Sequence, residues 1–368
     1  MEYPQKSSTH LHTLTSIRGF AAIWVLMFHL RYEVRQFYPE LYHMTLGFWK
    51  SGFLGVDLFF VLSGFVISLN YQKTFSSFHR SNFQAFMIKR FARIYPVYLA
   101  CLLCTLIVFG AFVWFEFPYK QKNIFTSWGF LQSLTMTQIL SFPVPRQWNL
   151  VAWSVSAEWF AYLSFPFLAL LTSRINTHKM RIIILGVLCI TYLWIMNIMQ
   201  RPSAMELGLF RIAGGFSMGV LLCGVRDILS PSWKESRLWG WLVIVIFASI
   251  PFLYVFSTNH RVASVVWAPI IFLPIIFSLA QPGAAWKIMT SNKMIYLGHV
   301  SYSLYMIHTT ILLAFRSAFD MHTIIHPIYK IGYMGAELLL IFISSHILYT
   351  RLEEPARKYI LQKMLPPK

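Results

Sequence analysis

The chain has 368 residues, 57 % of them hydrophobic and only 12 % charged, with a mean hydropathy of +0.57. Average globular chains carry about 25 % charged residues, so this composition excludes an ordinary soluble domain. The formal net charge of +18 would otherwise suggest nucleic acid, but the basic residues sit in connections between apolar stretches and favour one side, as membrane orientation requires; no nucleic-acid partner is expected.

Ten apolar stretches can be drawn, at 14–31, 52–71, 94–115, 151–171, 182–199, 207–224, 239–256, 262–280, 294–315 and 328–349. With about 20 residues needed to cross a bilayer, they predict an all-α integral membrane protein, a bundle of about ten transmembrane helices. The eighth and ninth contain Pro269, Pro274 and Gly298, which membrane helices tolerate where neighbours satisfy the freed backbone groups. A longer connection, Glu116 to Leu150, is aromatic and holds Pro118, Pro143 and Pro145; its stretch 124–140 reads as a helix lying at the interface. The first dozen residues are polar and no small-residue cleavage site follows the first apolar run, so no cleavable signal is expected. With the N-terminus inside, 20 Lys and Arg fall on the cytoplasmic side against 10 in outer loops, with Arg211 inside a span. Both termini are therefore expected in the cytoplasm. Residues 1–350 read as one transmembrane domain and 351–368 as a short basic cytoplasmic tail.

The first stretch carries Arg18 and His29, eleven residues apart. On a helix that spacing is ~1,100° of rotation, within ~20° of three whole turns, and ~16 Å of rise. Both side chains project along one face. An arginine inside such a helix costs about 2.5–3.5 kcal/mol on insertion scales, which points to a water-lined interior route. The competing reading has Arg18 snorkelling to the cytoplasmic surface and His29 at the opposite headgroups.

Further along, Gly55-Val56-Asp57-Leu58 opens the second stretch. Asp57 falls in its first turn, where a carboxylate caps N–H groups and is favoured by the helix dipole; Gly55 and Gly64 permit close helix approach. Next comes Lys89-Arg90-Phe91-Ala92-Arg93. Arg90 and Arg93 are i,i+3 neighbours whose planar forks suit a phosphate, or else anchor the chain to anionic headgroups. The fourth stretch aligns Ser154, Glu158 and Tyr162 at i, i+4, i+8. Glu158, placed at a depth comparable to His29, needs a partner or a proton, and His29 is its natural candidate; an interhelical structural hydrogen bond is the alternative. In the ninth stretch Ser301, Tyr305 and His308 share a face, while Glu337 and His346 in the tenth have no assigned role. The cysteines, Cys101, Cys104, Cys189 and Cys223, all lie in apolar runs and read as small hydrophobes, with no metal site.

Together these residues resemble the acyltransferase-3 family of integral membrane acyltransferases. The resemblance runs through Ser16-Ile17-Arg18-Gly19-Phe20 to His29, Gly55-Val56-Asp57 to Gly64-Phe65, and Arg90-x-x-Arg93-Ile94-x-Pro96. It continues with Trp153-Ser154-x-x-x-Glu158, Ser301-Tyr302-x-x-Tyr305-x-x-His308 and Glu354-Pro355-x-Arg357. Two positions depart from the pattern: Thr15 and Trp159 stand where family members often carry an acidic residue. No hydrolase-like domain follows the tenth stretch, so the chain looks like the stand-alone form.

The resemblance implies a multi-pass protein of the cell's inner (plasma) membrane. The implied reaction moves an acyl group, commonly acetyl, from cytoplasmic acetyl-CoA to a hydroxyl of a cell-surface or lipid-linked glycan. His29, Glu158, Arg18 and Asp57 are the expected catalytic residues; Arg90, Arg93 and Lys89 the donor-binding ones; Ser154, Tyr305 and His308 the substrate-side ones. A transporter or flippase of a polyprenyl-linked sugar also suits buried polar stripes and basic inner loops. Acceptor identity and oligomeric state are not read from the sequence.

Overall fold

The computed structural model describes residues 9–116, 125–141, 148–199, 207–256, 260–284, 286–319 and 321–365. All ten apolar stretches are helical. Helix α1 (Thr9–Phe37) carries the first; the short α2 (Pro39–Met44) and α3 (Leu46–Ser51) lead into α4 (Gly55–Tyr71). Then follow α5 (Arg80–Trp114), the short α6 (Ser127–Leu134), α7 (Ala152–Ser173), α8 (His178–Met199) and α9 (Gly208–Cys223). One turn, α10 (Pro231–Lys234), precedes α11 (Leu238–Phe256), α12 (His260–Leu279), α13 (Asn292–Ala318), α14 (Pro327–Leu348) and α15 (Glu354–Met364). No strand occurs among the described residues.

Seven helical runs are long and apolar enough to cross a membrane: His12–Phe37, Leu46–Tyr71, Arg80–Trp114, Ala152–Ser173, His178–Met199, Leu238–Phe256 and Pro327–Met364. The chain is thus an all-α, multi-pass membrane protein. The other three stretches fall short for different reasons. Helix α9 is apolar but has only 16 residues, and α12 is described as an apolar run over Val266–Leu279. Helix α13 is long enough at 27 residues, but Ser301, Tyr302, Ser303, Tyr305, His308, Thr309 and Thr310 dilute its apolar surface.

Two further differences bear on the site. The stretch expected at the interface instead runs alongside the apolar part of α5. Phe125 stacks on Phe109, while eight to nine residues later the carbonyls of Ser133 and Leu134 accept hydrogen bonds from Tyr98 and Tyr95 at 2.7 and 3.1 Å. From Phe109 back to Tyr98 the axis of α5 advances roughly 16 Å, so this segment dips along the span. The start of the expected helix, Ile124, and the prolines Pro118, Pro143 and Pro145 lie outside the described residues. The expected tail is also helical: α14 continues through a π turn, Tyr349–Glu353, into α15. Glu353 is buried there and accepts a hydrogen bond from Ser303 at 2.7 Å.

The chain divides into two compact units. The first comprises Met1–Val25, Leu46–Asn82 and Leu163–Ser301; the second Leu26–Thr45, Phe83–Tyr162 and Tyr302–Lys368.

In the first unit α4 packs closely on α9, because glycines bring backbone against backbone. A Cβ at Gly219 would meet the Val61 carbonyl and the Phe65 nitrogen, and one at Gly64 the Phe216 carbonyl. Gly19 of α1 and Gly298 of α13 make a similar close approach, with Leu297 and Thr15 as the facing residues. Between α4 and α9 lies an ion pair: Arg211 Nε and Nη2 donate to the two carboxylate oxygens of Asp57 at 2.9 and 2.7 Å. The two side chains are 1 % and 0 % exposed. Asp57 does sit in the first turn of α4, yet both its oxygens are taken by a guanidinium from another helix. Capping alone does not describe it. A charge in such surroundings is tolerated only with a paired, hydrogen-bonded partner.

Replacing Gly219 by Leu is expected to destabilise by about 1–3 kcal/mol through overpacking, read as a lower Tm in detergent. Gly110→Leu, at a position where a Cβ meets nothing within 4 Å, is the neutral control. Asp57→Ala, which leaves Arg211 buried without its carboxylate, is expected to lose about 3–5 kcal/mol. In the same measurement the double variant Asp57→Leu/Arg211→Met recovers most of that loss.

Candidate functional site

The second unit gathers most of the polar residues that the spacing singled out. On α1, His29 is half-buried and faces His308 of α13, which is fully buried. His308 Nε2 and His29 Nδ1 lie 3.2 Å apart. The tautomers follow from the next contact. His308 Nδ1 lies 3.2 Å from the carbonyl oxygen of Leu304, which can only accept, so Nδ1 carries the proton. In a neutral ring Nε2 is then the acceptor. His29 Nδ1 must therefore donate to it, which puts the ring's basic lone pair on His29 Nε2.

From His308 the polar line continues. Its ring centroid is 6.0 Å from that of Tyr305, three residues earlier on α13. Tyr305 Oη is 2.6 Å from Ser154 Oγ, and both hydroxyls reach the Val151 carbonyl, at 3.2 and 2.9 Å. Asn149 holds the two helices together here, donating to the Met306 carbonyl at 2.9 Å and accepting from Thr309 at 3.2 Å. One turn beyond Ser154 on α7 stands Glu158, which accepts a hydrogen bond from Tyr162 Oη, another turn on. The Tyr162 ring lies 5.8 Å from the guanidinium carbon of Arg90, which is also 5.6 Å from the Phe86 ring. Trp159, at a position where family members often carry an acid, packs edge-on against Phe91 at 6.4 Å.

The order along this line is His29, His308, Tyr305, Ser154, Glu158, Tyr162, Arg90. Glu158 lies a turn past Ser154, toward Arg90. The carboxylate's hydroxyl donor is Tyr162, and the imidazole facing His29 is that of His308. Spacing within α7 gives the Ser154–Glu158–Tyr162 stripe, but only the packing of α13 between α1 and α7 in this unit decides what the stripe meets.

Lys89 and Arg93 flank Arg90 on α5 and are half-buried. Tyr302 donates to the Ile94 carbonyl at 2.7 Å, close to the Pro96 position that interrupts the hydrogen bonding of α5. Arg18 lies on α1 with His29, half-buried, in the portion belonging to the first unit. Asp57 belongs to that first unit too, held by Arg211 as described above.

Sequence reasoning missed one constellation. Glu33, a turn after His29, accepts from Arg316 Nε and Nη2 at 2.6 and 2.9 Å, and Arg316 Nη2 also donates to the His29 carbonyl at 2.7 Å. Both residues had fallen outside the apolar stretches, which end at 31 and 315, whereas α1 runs to Phe37 and α13 to Ala318. The available signal was the i,i+4 spacing of His29 and Glu33 on one helix face.

Comparison with known proteins identifies the family. A family profile described as an acyltransferase domain matches residues 11–349. The acyltransferase MdmB of Streptomyces mycarofaciens is 29 % identical over 180 residues, 46 % of this chain and 42 % of that protein. The peptidoglycan O-acetyltransferase OatA of Listeria monocytogenes is 27 % identical over 176 residues, 44 % of this chain and 27 % of that protein. A putative O-acetyltransferase of Staphylococcus aureus is 24 % identical over 363 residues, covering 86 % of this chain and 55 % of its own. The chain thus spans about a quarter to a half of the lengths of these relatives. No solved structure matches it. A profile match over nearly the whole chain, on a helical membrane architecture, makes this protein a member of the acyltransferase-3 family.

Proposed function

We propose that this protein is a membrane-embedded O-acyltransferase that moves an acyl group, acetyl by analogy with its O-acetyltransferase relatives, from acyl-CoA to a hydroxyl of a cell-surface or lipid-linked glycan. One observation carries the reading: three hydrogen-bonded polar pairs in the second unit, His29–His308, Tyr305–Ser154 and Tyr162–Glu158, follow one another between an imidazole and the guanidinium of Arg90, inside helices that are otherwise apolar. In hydrocarbon such a line is expensive, and intramembrane ionisable residues mark substrate paths by default.

In this reading Arg90, with Arg93 one turn on and Lys89 beside it, supplies the positive charge and planar forks that a phosphate-bearing donor needs at the inner surface. His29 Nε2 takes the proton of the acceptor hydroxyl while that oxygen attacks the thioester carbonyl. The carbon–sulfur bond breaks, and the imidazolium returns the proton to the departing thiolate, so the imidazole ends as it began. His308 fixes the tautomer that leaves Nε2 basic, the task a carboxylate performs in a hydrolase triad. Glu158 is assigned to the donor side with Tyr162, Ser154 and Tyr305 to the substrate path, and Asp57 to anchoring α4 through Arg211. The lysine and arginine count favours both termini in the cytoplasm of a cell whose inner membrane holds the protein.

The test is transfer of label from acetyl-CoA into an alkali-labile ester on the cell-surface glycan, in membranes carrying matched amounts of each variant. His29→Ala is expected to lose transfer by a factor of about 100 or more, the scale of general-base catalysis. Arg90→Ala/Arg93→Ala is expected to raise the acetyl-CoA KM at least about tenfold, the loss of one good charge-assisted contact. Full transfer by His29→Ala, or an unchanged KM in the double variant, removes the corresponding assignment. A wild-type protein that labels no glycan but moves a polyprenyl-linked sugar makes it a flippase instead.

A further inference from the structure

We propose that Arg316, anchored by Glu33, is a positioning residue for His29: its guanidinium clamps the turn of α1 that runs from the His29 carbonyl to the Glu33 carboxylate and so holds the imidazole against His308. The inference rests on the reading of His29 as the base.

Three hydrogens of one guanidinium are spent on a single helical turn. Nε and Nη2 grip both oxygens of Glu33 at 2.6 and 2.9 Å, and the second hydrogen of Nη2 reaches the His29 carbonyl at 2.7 Å. Glu33 is 0 % exposed. The guanidinium also lies over the Tyr32 ring at 5.1 Å. A buried ion pair of this kind is poor value as a source of stability, since well-packed hydrocarbon in the same space does as well or better. What hydrocarbon lacks is direction. Beside His29, within the second unit, α13 reaches α1 through His308 at the ring of His29 and through Arg316 at its backbone. The ring contact alone leaves this turn free to shift against His308; the backbone contact adds a hold on its height.

The other charged neighbour confirms which carboxylate does the gripping. Glu337 and Tyr333 of α14 act electrostatically on Arg316, but among the described residues no hydrogen bond joins Glu337 to the guanidinium. Among the described residues the fork is directed at Glu33 and the His29 carbonyl. Catalytic groups need to be held within about 0.5 Å of their productive position by partners of this sort, and loss of such a partner typically lowers activity about 10–100-fold.

The experiment uses the full chain in isolated membranes, with labelled acetyl-CoA and the ester on the glycan as readout. Arg316→Lys keeps the charge but not the fork; Glu33→Gln keeps the shape and one acceptor and is the variant expected to fold. Both are expected to lower the maximal rate per folded molecule about 10–100-fold while the acetyl-CoA KM stays within about twofold, the pattern of a lost transition-state geometry rather than lost binding. A lower Tm in detergent with an unchanged rate per folded molecule overturns the proposal, because it reduces the pair to a fold anchor. Loss of folded protein in both variants overturns it in the same way. His29→Ala separates the two readings: if it retains full rate the base assignment fails, whereas an inactive His29→Ala beside fully active Arg316→Lys and Glu33→Gln removes the clamp alone.

Discussion

A polar side chain inside an apolar helix must find its partner on another helix, and this requirement shapes everything of interest in the molecule. Water is not there to satisfy stray groups, and an unsatisfied one costs on the order of 1–3 kcal/mol, more if charged. Several of the buried polar residues here therefore name the neighbouring helix they pack against. Asp57 names Arg211 and so joins α4 to α9; His29 names His308 and joins α1 to α13; Ser154 names Tyr305 and joins α7 to α13. The polar residues act as a register code written into otherwise interchangeable hydrocarbon.

The two units use this code differently. In the first, close glycine-mediated contact between α4 and α9 encloses one ion pair whose geometry is complete in itself. Such a pair fixes which helices meet and at what height. In the second, beside the closed Glu33–Arg316 pair, other polar groups follow one another as an open series, from an imidazole pair through hydroxyls to a carboxylate and a guanidinium. Closed pairs suit anchoring, and an open series suits passage of a polar substrate arm. That contrast is the physical basis for placing the chemistry with His29 rather than with Asp57.

The dipping segment after α5 reinforces the second unit. Tyr95 and Tyr98 tether its carbonyls, Gln138 donates to Tyr98 at 2.8 Å, and Ser156 of α7 donates to the Met136 carbonyl at 2.6 Å. Met136 adopts a positive φ of 54° at the turn, a conformation that an L-residue keeps only where its surroundings impose it. These bonds hold α7 beside α5, and with it the stripe that carries Ser154 and Glu158.

Composition and hydropathy by themselves determined that the chain is helical and membrane-spanning, because a bilayer admits few alternatives for so apolar a polypeptide. They located all ten helices, and ordered motifs were enough to indicate the family. Helical periodicity also placed Arg18 with His29, and Ser154 with Glu158 and Tyr162, since those relations lie within one helix. It could not choose partners between helices. His29 was matched to Glu158 on apparent depth; the packing of α13 against α1 is what brings His308 to its ring. Glu33 and Arg316 were hidden for the same reason: each looks like a loop charge until the two helices extend and meet. Hydropathy is a sum over one segment, whereas a hydrogen bond between segments is a fact about two of them at once, and only the tertiary structure decides it.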